Sequence, residues 1–189
     1  MQLYLASTSP RRRELLTAAG IGFALAVPGP EPTGHGAPRA LSLQRARAKA
    51  LQARIPAAAG LVLGVDTVVE CGGIELGKPE DAAAARAMLC ALAAREHTVH
   101  TAHVVQVRPA GQVFELCASA RVRCAALTPA AIEQYLASGE WSDKAGGYGI
   151  QGAAGAFMRL VSGEFDTVVG LSVAAVRTLL ARAGAVGEP

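Results

Sequence analysis

Lysine is nearly missing from this chain. Of its 18 basic residues only Lys49, Lys78 and Lys144 are lysines, and the rest are arginines. Arginine therefore carries the general surface charge, and each lysine falls in or beside a stretch that has other marks of a site. A compact ammonium is a natural partner for phosphate oxygens. Aromatic residues are scarce as well, at 4%, so alanine and small aliphatics must fill the interior. No strong charge of one sign is present. A net charge of +3 is too small to suggest a nucleic-acid polymer as partner, although a local basic site for a phosphorylated small molecule stays open. No apolar run approaches the roughly 20 residues of a membrane span, so no membrane partner is expected. Arg11, Arg12 and Arg13 are not followed by an apolar signal core, so no secretion signal is read. Cys71, Cys90, Cys117 and Cys124 form no C-x-x-C pair. That spacing argues against zinc and for reduced thiols in a cytoplasmic protein. His97, His100 and His103 lie in a stretch that alternates like a strand. His100 then points away from the other two, which argues against one metal bound by all three.

One carboxylate stands out among the residues that are present. The run Leu61 to Val69 is apolar and largely β-branched, the pattern of a strand buried on both faces, and Asp66 is its only charge. Burying an ionised carboxylate costs several kcal/mol unless it is paired or binds a cation. Aspartate also disfavours strands. Two costs at one position argue for a function. The plainer alternative is an aspartate at a strand end, bonded to a neighbouring loop.

The remaining chain supplies possible partners. Gln2 to Leu5 reads as a first strand, Ala6 to Ser9 as a hydroxyl-rich loop, and Pro10 as the opening of a helix capped by Ser9. Such a helix start is an anion site. Arg11 to Arg13 would strain the bare helix there, which makes sense if a polyanion docks; a solvated basic turn is the alternative. Phe23, Leu25 and Val27 alternate as a second strand. Pro28 to Pro38 is a Pro/Gly-rich loop or flap whose only acid is Glu31. A basic helix over Ala40 to Arg54 carries Lys49. After the central strand, a hairpin through Ile74 to Leu76 returns Lys78 toward Asp66. A helix over Glu80 to Ala94 follows, then two long strands, Val99 to Val107 and Val113 to Ala125. These could form a lobe of their own or extend one sheet. A helix runs from Thr128 to about Ser138. The stretch Asp143 to Gly152 holds four glycines, with Tyr148 offering a ring and Gln151 an amide. It could equally be a plain glycine loop with its tyrosine in the core. Phe157 to Val161 and Phe165 to Val169 read as a closing hairpin, and Leu171 to Ala183 as the last helix. The 189 residues suit one α/β unit or two closely joined lobes. They are read as a single domain over 1–184 with a flexible tail over 185–189.

Four segments in register, Leu5 to Leu16, Gly64 to Val69, Gly77 to Pro79, and Asp143 to Gly152 with Val169 to Leu171 after it, resemble the Maf family of nucleoside triphosphate pyrophosphatases. The likeness covers nearly the whole chain. It implies an α/β fold with an elongated mixed β-sheet flanked by helices, and two lobes around a central cleft. It implies hydrolysis of a nucleoside triphosphate to monophosphate and diphosphate, assisted by a divalent metal cation, Mg²⁺ or Mn²⁺. By the same likeness Asp66 is the proton acceptor, and Arg12, Lys49 and Lys78 meet the triphosphate beside Ser7 and Ser9 of the hydroxyl loop. Arg11, Thr67 and Gln151 match the selectivity positions of the family's dTTP/UTP branch, whereas the 7-methyl-GTP branch carries Trp, Gln and Glu there. A glutamine amide can donate to a pyrimidine O4 and accept from N3–H. One departure concerns the flap: the family's acid falls near Pro32, which cannot bind metal, so Glu31 joins Asp66 as the candidate ligand. A homodimer is the family habit. A nucleotide-binding regulator of cell division and septum formation, with little catalysis, is the competing reading.

Overall fold

The computed structural model describes residues 1–34 and 36–184. Seven strands form one mixed sheet. β1 (Leu3–Ala6) is followed by α1 (Pro10–Ala18), β2 (Ala24–Leu25) and α2 (Pro38–Leu51). Then come β3 (Gly60–Cys71), β4 (Ile74–Leu76), α3 (Ala82–Leu92), and the long pair β5 (Glu96–Arg108) and β6 (Val113–Cys124). The chain ends in α4 (Pro129–Ala137), two short 3-10 turns, β7 (Met158–Ser162), α5 (Phe165–Val169) and α6 (Val173–Gly184). The spatial order is β2-β1-β3-β5-β6-β7, with β4 also on β3. β5 and β6 therefore extend the one sheet rather than forming a separate one.

β3 holds the molecule together. Its whole length pairs antiparallel with β5, from Gly60↔Arg108 to Glu70↔Thr98. On its other edge it pairs with β1 only over Leu61 to Gly64, and with β4 only from Val69 onward. Val65 to Val68 are open on that side. The strand also crosses two cores. Leu61, Leu63 and Val65 pack with Leu5, Leu16 and Leu179, whereas Val69 and Cys71 pack with Leu89, Val122 and Tyr135. The gap in pairing falls between these two lobes.

The opposite face of β3 takes α2 at very close range. A Cβ on Gly64 would stand 2.6 Å from the Ala50 amide nitrogen, and closer still to the Ala46 carbonyl. Ala46 and Ala50 are fully buried there with Ala102 and Val104. Small residues on both surfaces let the backbones approach, which brings the last turn of α2 onto the middle of β3.

Several expectations are corrected. Phe165 to Val169 is a helical turn, not a strand. Asp166 organises it, its carbonyl accepting from Gly170 and Leu171 and its carboxylate from Val173. Periodicity cannot separate helix from strand over so few apolar residues. Ser9 gives no side-chain cap to α1; its amide instead donates to Ser7 Oγ at 3.3 Å. The second strand is only two residues, and Val27 makes a lone bridge with Arg54. α2 begins at Pro38, where proline suits a first turn. The tail expected over 185–189 lies outside the described residues.

Two buried histidines set an acid limit. His103 Nε2 accepts from the Ser172 amide at 2.9 Å, and His97 Nε2 meets the Tyr148 hydroxyl at 2.8 Å. Burial lowers both pKa values to about 4. Below pH 6.5 the unfolded chain takes up protons that these folded rings refuse, so stability falls as pH drops from about 6.5 to 4. Each ring contributes up to roughly 3 kcal/mol to that loss. Urea unfolding at pH 7 and pH 4.5 should show the decline, and His97→Phe should flatten part of the slope.

Candidate active site

The break in pairing along β3 opens into a cleft of about 600 Å³. Successive strand residues face opposite sides of a sheet. Asp66 on one side and Thr67 on the other nevertheless line the same cleft, because no neighbouring strand separates them there.

Asp66 is 5% exposed. Its Oδ1 accepts a hydrogen bond from Lys49 Nζ at 2.6 Å, while Oδ2 is buried with no partner among the described residues. Burial raises the carboxyl's pKa, against the opposing charges of Lys49 and Arg12. Lys49 comes from the last turn of α2 and also reaches Glu31 Oε2 at 2.9 Å. Glu31 thus stands at the site despite the proline beside it. Burial works to raise its carboxyl, but the bond to Lys49 and the charges of Lys49 and Arg45 win, and the pKa is lowered. The flap is drawn onto α2 by Gly29, whose amide donates to the Lys49 carbonyl at 3.2 Å. A side chain at Gly29 would strike Gln52 and the Ala48 carbonyl.

Arg12 organises the far wall. Its Nε donates to the Gly170 carbonyl at 2.9 Å, Nη1 to Ser7 Oγ at 3.0 Å and Nη2 to Thr67 Oγ1 at 3.2 Å. Burial lowers its pKa, and Asp66 works against that. The Thr67 hydroxyl also meets Thr101 Oγ1 at 3.1 Å, and Thr101 donates to the Thr167 carbonyl at 2.8 Å. Thr67 therefore spends its hydroxyl on framing Arg12. Ser9, Arg11, Lys78 and Gln151 line the cleft too. None of these four side chains makes a hydrogen bond to the protein among the described residues. The structure brings every sequence-expected residue to this one cleft.

The sequence reading passed over two contributors. Arg45 and Glu75 form a bidentate pair on the wall, and Arg45 Nε lies 3.7 Å from Glu31. The pair with Glu75 raises the Arg45 pKa. Arg45 sits four residues before Lys49, one turn back on the same helix face, and that spacing could have revealed it. Glu75 is the one acid of the short strand β4, between Ile74 and Leu76. Lys144, already marked by its rarity and its place in the Asp143 to Gly152 stretch, packs over Gly149, where a Cβ would come 2.7 Å from its Cε. With these the cleft is lined by Arg11, Arg12, Arg45, Lys49, Lys78 and Lys144 against Glu31, Asp66, Glu75 and Asp143. The excess is positive and suits a multiply charged anion.

An α/β sheet broken at a buried carboxylate, with that opening lined by cations and a helix N-terminus, defines a protein built for a polyphosphate. The chain belongs to the Maf family, whose Maf-like protein model matches residues 2–183. It is 46% identical over 188 residues to a dTTP/UTP pyrophosphatase of an Anaeromyxobacter species, covering 97% of this chain and 90% of the relative. It is 42% identical over 184 residues to the protein of that name in Moorella thermoacetica, covering 95% and 94%. For the Thermus thermophilus protein of the same name the identity is 43% over 181 residues, covering 94% and 92%.

Proposed function

We propose that this chain hydrolyses dTTP and UTP to the nucleoside monophosphate and diphosphate, with Asp66 as the proton acceptor. The observation that carries the role of Asp66 is its geometry. One carboxylate oxygen is fixed by Lys49, the other is buried with no partner among the described residues, and Asp66 lines the cleft. In the reaction a water oxygen forms a bond to the α-phosphorus, the bond from that phosphorus to the bridging oxygen breaks, and diphosphate departs. The water proton passes to Asp66 Oδ2. Lys49 holds the carboxylate in one orientation. Arg12, Lys78 and the amides at the start of α1, beside Ser7 and Ser9, neutralise the phosphates. Arg11, Thr67 and Gln151 select the nucleotide: Gln151 reads the pyrimidine O4 and N3–H, and Thr67 acts by holding Arg12.

The donor set also suits a divalent cation. Hard cations such as Mg²⁺ take oxygen ligands and often use one or two carboxylates together with substrate phosphates. The Glu31 carboxylate, with the Asp66 oxygen that is not taking the proton, would hold it, both beside Lys49. When bound, such an ion neutralises charge developing on the leaving diphosphate. Glu31→Ala should therefore raise the Mg²⁺ concentration for half-maximal activity by about tenfold or more. Mg²⁺ titration at fixed dTTP checks this, and an unchanged midpoint removes Glu31 as a ligand.

The activity itself is tested by incubating the protein with Mg²⁺ or Mn²⁺ and dTTP, UTP, CTP, GTP or 7-methyl-GTP, then measuring diphosphate. Release from dTTP and UTP above the others is expected. Binding of these nucleotides without release would favour the regulatory reading instead.

A further inference from the structure

We infer that Glu140 is a positioning residue for pyrimidine selection, holding the turn that presents Gln151. The inference rests on the dTTP/UTP reading above and deepens it. Gln151 is exposed, lines the cleft and has no hydrogen bond of its own among the described residues. Its aim is therefore set by the backbone on either side. Upstream, the Gly149 amide donates to the Tyr135 hydroxyl at 3.2 Å, and the Gly152 amide closes onto the Gly149 carbonyl at 3.0 Å. Downstream, the Ala153 amide donates to Glu140 Oε2 at 2.9 Å.

The downstream hold is built into the sequence at two places. Glu140 follows α4 directly after Gly139, whose φ of +70° turns the chain. Its carboxylate then occupies the space a side chain at position 152 would need. A Cβ on Gly152 would stand 2.8 Å from Glu140 Cδ and closer still to Oε2. Glycine at 152 lets the carboxylate reach the amide. A half-exposed glutamate beside Lys144 would ordinarily turn to that ammonium or to water. Here it is spent on one main-chain N–H, two residues past the base-reading amide. A glutamine that donates to O4 and accepts from N3–H together tolerates little tilt. Releasing the turn should weaken base recognition and leave the phosphates and Asp66 in place. Loss of such uniform binding raises KM and spares kcat.

The test compares wild type, Glu140→Ala, Glu140→Gln and Gly152→Ala by steady-state diphosphate release from dTTP and CTP. Melting temperature and amide hydrogen exchange over residues 149–156 are followed in parallel. Glu140→Ala should raise KM for dTTP about tenfold with kcat within about threefold. It should narrow the preference for dTTP over CTP and speed exchange at Ala153. Glu140→Gln keeps an acceptor oxygen and should behave as wild type. Gly152→Ala drives the carboxylate off the same amide and should repeat the alanine phenotype, which covers the case of a Glu140→Ala protein that does not fold. Unchanged KM and preference in Glu140→Ala, or equal damage in Glu140→Gln, overturns the inference. Wild-type protein that cleaves neither dTTP nor UTP overturns the parent reading, and this selectivity role with it. The exchange data then still decide whether Glu140 holds the turn.

Discussion

Asp66→Asn should release diphosphate from dTTP about a thousandfold more slowly than wild type while still binding nucleotide. Asparagine has nearly the same shape, and its carbonyl oxygen can keep the bond from Lys49. What it lacks at neutral pH is any capacity to take a proton. Titration calorimetry with a non-hydrolysable dTTP analogue should show binding largely preserved, so the loss falls in kcat. The wild-type pH profile makes a linked demand. Burial holds the Asp66 carboxyl above its ordinary pKa, and only the ionised form can act as acceptor. The acid limb should therefore lie above the usual carboxylate range, with rate falling as pH drops through it, and should vanish in the variant. Near-normal turnover by Asp66→Asn would remove the role given to this residue.

Gly64→Ala should damage both stability and activity, although it adds only one methyl group. The added carbon would meet the Ala50 nitrogen at 2.6 Å and the Ala50 Cβ at 2.9 Å, inside a fully buried contact. These are backbone and near-backbone atoms that cannot swing aside, so α2 must move as a body. Overpacking of this kind costs about 3 kcal/mol, or roughly a 10 °C fall in melting temperature for a domain of this size. Lys49 rides on the last turn of the same helix, so its 2.6 Å bond to Asp66 stretches with the shift. Differential scanning calorimetry and a dTTP assay on the surviving folded fraction would check the two effects. A variant that melts and turns over like wild type would show that the helix–strand contact is not as tight as described.

Local chemistry was legible from the sequence where it was concentrated. A lone acid in the run Leu61 to Val69 pointed to Asp66, sparing use of lysine to Lys49, Lys78 and Lys144, and a run of small hydroxyl residues before Pro10 to the turn that lines the cleft ahead of α1. Less of the wiring could be read. Ser9 looked like a helix cap, yet it is Ser7 Oγ that receives the Ser9 amide and the Arg12 guanidinium. Arg12 could be placed at a phosphate, but its bond to Gly170, 158 residues on, has no local signal. The failure at Phe165 to Val169 was of another kind. Five residues are too few to show a period, and Asp166 bonds forward to Val173, a contact invisible until the chain has folded back. Arg45 was missed because its helix carries several other basic residues, and Glu75 because a three-residue strand is too short to mark one acid as out of place.

The missing stretch of neighbour along β3 has a consequence for the bound state. Along β3 the pairing with β1 stops at Gly64 and that with β4 begins at Val69, so this edge is one strand-segment short at Asp66 and Thr67. The amides and carbonyls that Val65 to Val68 turn to that edge have no strand beside them among the described residues, so water or an incoming ligand must satisfy them. The opening is thus polar in its main chain as well as in its side chains.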